Sequence, residues 1–272
     1  MSDDRSNFRL QTSYFSLRMV RLSVNVNKIA TIRNSRGGAA PRVLHAVRVC
    51  VDAGAHGITV HPRADRRHIT PDDVHDIAAA LASVRPRVEY NIEGDPRPDL
   101  LALVKEVRPD QCTLVPVVPG EVTSQAGWTP AIAGDLPAVV RELKALGIRV
   151  SLFVDPTEEA IRLAASAGAD RVELYTEPFA RAFERGRASA ASAFGEYERA
   201  SQLAHQAGLG VNAGHDLDLD NLELFRTLPH LDEVSIGHAI VSRAVFVGLD
   251  RVVHEYLDAL AGAAAPGSPL AR

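Results

Sequence analysis

Four of the ten histidines in this chain, His61, His68, His215 and His238, fall just after short apolar runs, in the strings GITVHPRADRRH, VNAGHD and SIGHAI. An imidazole titrates near neutral pH, so such a group beside carboxylates is equipped to move protons. Glu93, in YNIEGDP, follows a run of the same kind and is expected to share the acid–base work. Glu173, in VELYT, stays open between that work and a structural ion pair. Arg63, Arg66 and Arg67 crowd the first string; guanidinium groups pair bidentately with phosphate, so with His68 they suit an anion. Gly237-His238 precedes an apolar helical segment whose first amides suit a second anion. Asn25, Asn27 and Lys28 close the first apolar run, with Arg33 and Arg36 following.

Two absences narrow the chemistry. Lys28, Lys105 and Lys144 are the only lysines, and the last two read as helix-surface residues, so an enzyme Schiff base would have to use Lys28. His61-Pro62-Arg63 puts arginine where a His-x-His metal pair needs its second ligand, so no catalytic metal is expected.

The elements that hold these residues recur as one pattern. A helix-like, Ala/Leu-rich segment ends in Gly, and a β-branched run follows, as around Gly54, Gly147, Gly168 and Gly208. Glycine there fits the left-handed residue that closes a helix. Thr70-Pro71-Asp72-Asp73 reads as a helix start, with a hydroxyl cap, proline at the first position and acids in the first turn; Asp155-Pro156-Thr157-Glu158 repeats it. Strands are expected near 22–26, 57–61, 88–92, 112–115, 148–153, 171–175, 209–212 and 232–236, with helical spacers between most of them. Strict alternation implies parallel strands and right-handed crossovers, and eight units in roughly 250 residues is the size of a TIM barrel. A doubly wound sheet is the alternative, weakened by the missing G-x-G-x-x-G. In the barrel reading the four histidines share one rim. Two connections exceed ordinary loop length, 116–131 and 177–190; they are expected to be active-site lids, or for the second a subunit contact.

The whole composition agrees. With 272 residues, 46% of them hydrophobic, and a net charge of -4, the chain can bury a core and offers no global attraction to nucleic acid or membrane. Two cysteines, Cys50 and Cys112, are too few for a disulfide framework and favour a reducing, cytoplasmic setting. No apolar run nears the ~20 residues that span a bilayer. Residues 1–20 are expected to be a flexible arm, with Met19 a candidate start, 21–262 a single catalytic domain, and 263–272 a flexible tail.

Together these residues resemble the pyridoxine 5′-phosphate synthase family. The likeness rests on SVNVNKIATIRNSRGG (23–38), HGITVHPRADRRHI (56–69), YNIEGDP (90–96), TLVP and EVTS within 113–124, and VSLFVD (150–155). It continues through ADRVELYTEPFA (169–180), VNAGHDL (211–217) and EVSIGHAIVSRA (233–244), colinear over 20–258. The resemblance implies a TIM barrel with extra helices. It implies condensation of 3-amino-2-oxopropyl phosphate with 1-deoxy-D-xylulose 5-phosphate into pyridoxine 5′-phosphate, phosphate and water, without metal or organic cofactor. It casts His61 and Glu93 as general bases and His215 as general acid. Asn25, Asp216, Gly237 and His238 would hold the amino ketone phosphate; Asn27, Lys28, Arg36, Arg63, His68 and Thr123 would hold the pentulose phosphate. A homo-octamer is implied by the same likeness. Many members carry Asp-His where this chain has Asn27-Lys28, and His-Thr-Gly where it has Tyr175-Thr176-Glu177. The role of Lys28 therefore stays open between phosphate charge and ketone activation. Two other readings remain: a cofactor-free sugar-phosphate isomerase or aldolase, and a non-catalytic phosphate-binding relative.

Overall fold

The glycine-stopped apolar runs form eight parallel strands that close into a barrel in sequence order, in a computed structural model describing residues 19–116 and 124–263. They are β1 (Arg21–Asn25), β2 (Gly57–Val60), β3 (Glu89–Gly94), β4 (Gln111–Leu114), β5 (Arg149–Val154), β6 (Arg171–Tyr175), β7 (Gly210–Gly214) and β8 (Leu231–Ile236). Helices α1 (Asn27–Asn34), α2 (Val43–Asp52), α3 (Pro71–Leu81), α4 (Pro98–Val107), α5 (Leu136–Ala145) and α6 (Glu158–Ser166) follow the first five strands. Beyond β6 come α7 (Glu177–Glu184) and α8 (Arg187–Gln206), then α9 (Leu219–Phe225), α10 (His238–Val247) and α11 (Leu249–Ala261). This is the expected TIM barrel with additional helices. Of the arm expected over 1–20 only Met19 and Val20 are described, and of the tail only Ala263. Among the described residues no helix is long and apolar enough to cross a membrane.

Local signals behave as their chemistry dictates. Gly54, Gly147, Gly168 and Gly208 all take positive φ, between 78° and 97°, just past a helix. Thr70 caps α3 in a reciprocal capping box with Asp73. The second predicted start is corrected: α6 is capped by Thr157, whose side chain accepts from the Ala160 amide, two residues later than expected. Asp155 instead accepts from the Gly127 amide at 3.1 Å, which ties the segment after β4 to the end of β5. The stretch 177–190 is likewise not a loop. It folds as α7 and the start of α8, because Phe179, fully buried, packs with Phe183, Phe194, Tyr197 and Phe225 in one aromatic cluster. The other long connection, 116–131, lies partly outside the described residues.

The barrel separates its side chains by strand parity. Leu22, Val24, Ile58, Val60, Ile92, Leu114, Val150, Leu152, Val172, Leu174, Val211 and Val234 belong to the main apolar core, which the helices cover. Residues of opposite parity are polar and buried: Ser23, Thr59, Asn91, Thr113, Ser151, Glu173, Asn212 and Glu233. These pair with one another. Ser23 Oγ lies 2.7 Å from Thr59 Oγ1, Asn91 Nδ2 donates to Thr59, and Thr113 Oγ1 donates to Asn91 Oδ1. At the N-terminal end Glu89 accepts from both Arg21 and Arg149, and Arg149 also donates to Gln111. Burying so much polarity is tolerable because most of these groups are paired; the Ser151 hydroxyl is buried with no hydrogen-bond partner among the described residues.

Candidate functional site

The C-terminal ends of β1, β2 and β3 are stitched together by two asparagines. Asn25 Oδ1 accepts from the Asn27 amide at 3.0 Å, and Asn27 Oδ1 accepts from the His61 amide at 2.9 Å. Asn25 Nδ2 reaches Glu93 Oε2 at 3.5 Å. Gly237 seals the barrel against β1: a Cβ there would stand 2.8 Å from the Asn25 carbonyl oxygen, so only glycine lets the two strand ends approach.

Above this ring lies a cavity of about 440 Å³. Asn25, Asn27, Lys28, His61, Arg63, His68, Glu93, His215, Asp216, Gly237 and His238 all line it. Residues from five strand ends separated in sequence thus meet at one mouth. Arg36 does not line it; it is exposed in the turn after α1. Thr123 lies outside the described residues. The cavity also holds Glu173, Ser235, Val115 and Phe153, of which only Glu173 was singled out from the sequence. Apolar lining carries no local sequence mark; Phe153 and Val115 sit in ordinary strand runs.

Electrostatics follow from burial. His61 is held well below the ordinary imidazole range, first by burial and then by nearby His68, Arg63, Arg97 and His215. Its Nε2 is buried with no hydrogen-bond partner among the described residues. His68 is pushed down to about 4, by burial and then Arg63. Glu93 is raised well above the usual carboxylate range by burial, then by Glu173 and Glu233. Glu173 rises to about 8 and Glu233 to about 7, again through burial first. Burial thus favours neutral imidazoles at His61 and His68 and the proton-bearing form of the Glu173 carboxyl, beside the cationic Arg63 and Arg67 on one side of the cavity. On the other side α10 begins at His238 without a side-chain cap, so its first amides are open to an acceptor.

His215 has a different setting. It and Asp216 take left-handed φ values of 83° and 55°. Its ring stacks edge-on against Tyr175 at 5.3 Å and tilts against Phe153 at 5.1 Å. Burial lowers its proton affinity, while Asp216 and then Glu177 raise it. Arginines at one end of the cavity, an uncapped helix start at the other and three titratable side chains between them suit acid–base chemistry on anionic substrates.

The chain matches the family described as "Pyridoxal phosphate biosynthesis protein PdxJ" over residues 22–262. It is 50% identical over 245 residues to the pyridoxine 5′-phosphate synthase of Porphyromonas gingivalis, covering 89% of this chain and all of that protein. The synthase of Leptospira biflexa is 47% identical over 253 residues, covering 89% and 97%. Among solved structures, phosphoribosylanthranilate isomerase from Thermotoga maritima superposes with a TM-score of 0.56 at 15% identity, covering 90% of this chain and 100% of that one. That last likeness concerns the fold alone.

Proposed function

Because the chain belongs to the family of pyridoxal phosphate biosynthesis protein PdxJ, we infer that it is a pyridoxine 5′-phosphate synthase, with the site above as its catalytic centre. The proposed substrates are 3-amino-2-oxopropyl phosphate and 1-deoxy-D-xylulose 5-phosphate. The observation that carries this reading is the single cavity joining His61, Glu93 and His215 between an arginine-lined end and the start of α10.

The substrate's own amine adds to the partner's ketone, so no enzyme lysine need form an imine. His61, neutral and with its Nε2 turned to no other group among the described residues, accepts a proton from the reacting carbon or nitrogen. Glu93 serves as the second base, and burial makes its protonated form stable once formed. His215 delivers the proton that lets hydroxyl leave as water. Asn25, Asp216, Gly237 and His238 hold the amino ketone phosphate near α10; Asn27, Lys28, Arg63 and His68 hold the pentulose phosphate, while Arg36, exposed and away from the cavity, is not supported as a contact by the geometry and Thr123 lies outside the described residues. Asn27 works through its backbone link to His61 as well as by contact.

The setting we propose is the cytoplasm, where Cys50 and Cys112 stay reduced; both are free and buried. A homo-octamer is the proposed assembly, and the exposed Val245 and Phe246 on α10 support a subunit contact there.

Incubation with each substrate alone and with both tests the function. Phosphate release and product-ring absorbance are expected only with both present; release from either substrate alone would overturn the reading in favour of an isomerase or aldolase. Arg63→Ala is expected to raise the KM for pentulose phosphate roughly tenfold or more, with a smaller change in kcat, since a charge-assisted contact is lost. Steady-state kinetics check this, and an unchanged KM would remove Arg63 from that role.

A further inference from the structure

We propose that the junction of β6 and α7, Tyr175–Thr176–Glu177, is a positioning element for His215 that fixes its backbone, frames its ring and supplies the charge that helps it carry a proton. This rests on the reading of His215 as the acid of the reaction.

The backbone comes first. Two consecutive non-glycine residues in left-handed conformation, His215 and Asp216, persist only where their surroundings over-determine them. Thr176 supplies that constraint. Its amide donates to the Gly214 carbonyl at 3.0 Å, and its hydroxyl proton is shared between the Gly214 carbonyl, at 2.5 Å, and the His215 carbonyl. Thr176 is fully buried, so no water can take over these bonds. From the other side Asn221 Nδ2 donates to the Asp216 carbonyl at 2.9 Å.

The ring is framed next. Tyr175 meets it edge-on with an interplanar angle of 82°, and Phe153 backs both, its centroid 5.4 Å from that of Tyr175. Tyr175 is itself fixed by Tyr197 of α8, whose hydroxyl donates to the Tyr175 carbonyl at 2.6 Å.

Charge enters from an adjoining cavity of about 500 Å³ that Tyr175, Glu177, Asp216, Arg181 and Arg185 line. Glu177, mostly buried, is ion-paired with the exposed Arg181 one turn along α7. The groups facing His215 are His61 from β2, Glu93 from β3, Glu173 and Tyr175 from β6, Glu177 with Arg181 behind it from α7, and Asp216 beside it; Asp155 beyond β5 reaches Tyr175. Burial lowers the proton affinity of His215, and only Asp216 and Glu177 act upward. Arg181 competes for the Glu177 carboxylate, so removing one or the other must move His215 in opposite directions.

The test follows His215 in the full-length protein without substrate, by NMR of ring-labelled histidine, with the resonance assigned by its loss in His215→Gln. Glu177→Gln is expected to lower the protonated-to-neutral ratio at fixed pH about threefold, and Arg181→Ala to raise it. Thr176→Ala is expected to broaden or displace the resonance, with Thr176→Ser restoring it. A His215 titration unmoved by both Glu177→Gln and Arg181→Ala overturns the proposal; Arg181 is exposed, so Arg181→Ala leaves folding unaffected, and glutamine keeps the shape of the partly buried Glu177. The pH profile of kcat is measured alongside. If the titration moves as stated but the profile does not follow, the positioning element stands and the acid role of His215 fails.

Discussion

Glu93→Gln is expected to lower turnover by about 10²–10⁴-fold while leaving pentulose phosphate binding nearly intact. Glutamine matches glutamate in shape and can still accept from Asn25 Nδ2 through its amide oxygen. It cannot take up a proton. Glu93 is 8% exposed and its proton affinity is raised by burial and by the neighbouring Glu173 and Glu233, which makes it a stronger base than a surface carboxylate. Neither of the two ends proposed to hold the phosphates, the arginine end and the start of α10, includes it, so affinity should survive. Kinetics paired with calorimetric titration check both halves; turnover within twofold of the parent would exclude Glu93 from the chemistry.

Glu173→Gln is expected to stabilise the fold at pH 8 and to leave it almost unchanged near pH 4.5. The Glu173 carboxyl titrates at about 8 in the folded protein against an ordinary 4.5, through burial and then Glu233. Below pH 4.5 the folded and unfolded chains are equally protonated. Between 4.5 and 8 the folded state retains a proton that the unfolded state has released, so stability falls as pH rises through that window. Glutamine removes the dependence, and at about 1.4 kcal/mol per pKa unit the ceiling of the gain at pH 8 is roughly 4–5 kcal/mol. Denaturant melts of parent and variant at both pH values measure it. Equal differences at the two pH values would sink the claim.

Much of this was legible in the residues. The eight strands fall within two residues of their expected ends, because glycine stops and β-branched runs are local signals. Eleven of the thirteen candidate site residues line one cavity, because barrel closure delivers every strand end to the same rim. What was not legible depended on partners distant in sequence. Asp155 looks like a helix cap until the Gly127 amide claims it. The stretch 177–190 looks like a loop until Phe179 finds Phe225, 46 positions ahead in the chain and 5.0 Å away. Glu173 and Glu233 gain meaning only from register: both pair with Asn212, on either side of β7.

The apolar core of this protein is a sleeve wrapped around a hydrophilic axis, and the two sets of side chains interleave by position. Odd-numbered residues face the axis in every strand except β7, where the even-numbered Asn212 does so beside a register shift. Cohesion and chemistry thus occupy alternate letters of the same short words. Variation at axis positions can retune what the molecule does while the sleeve keeps its shape, which gives a laboratory library a simple rule: randomise one parity and hold the other fixed.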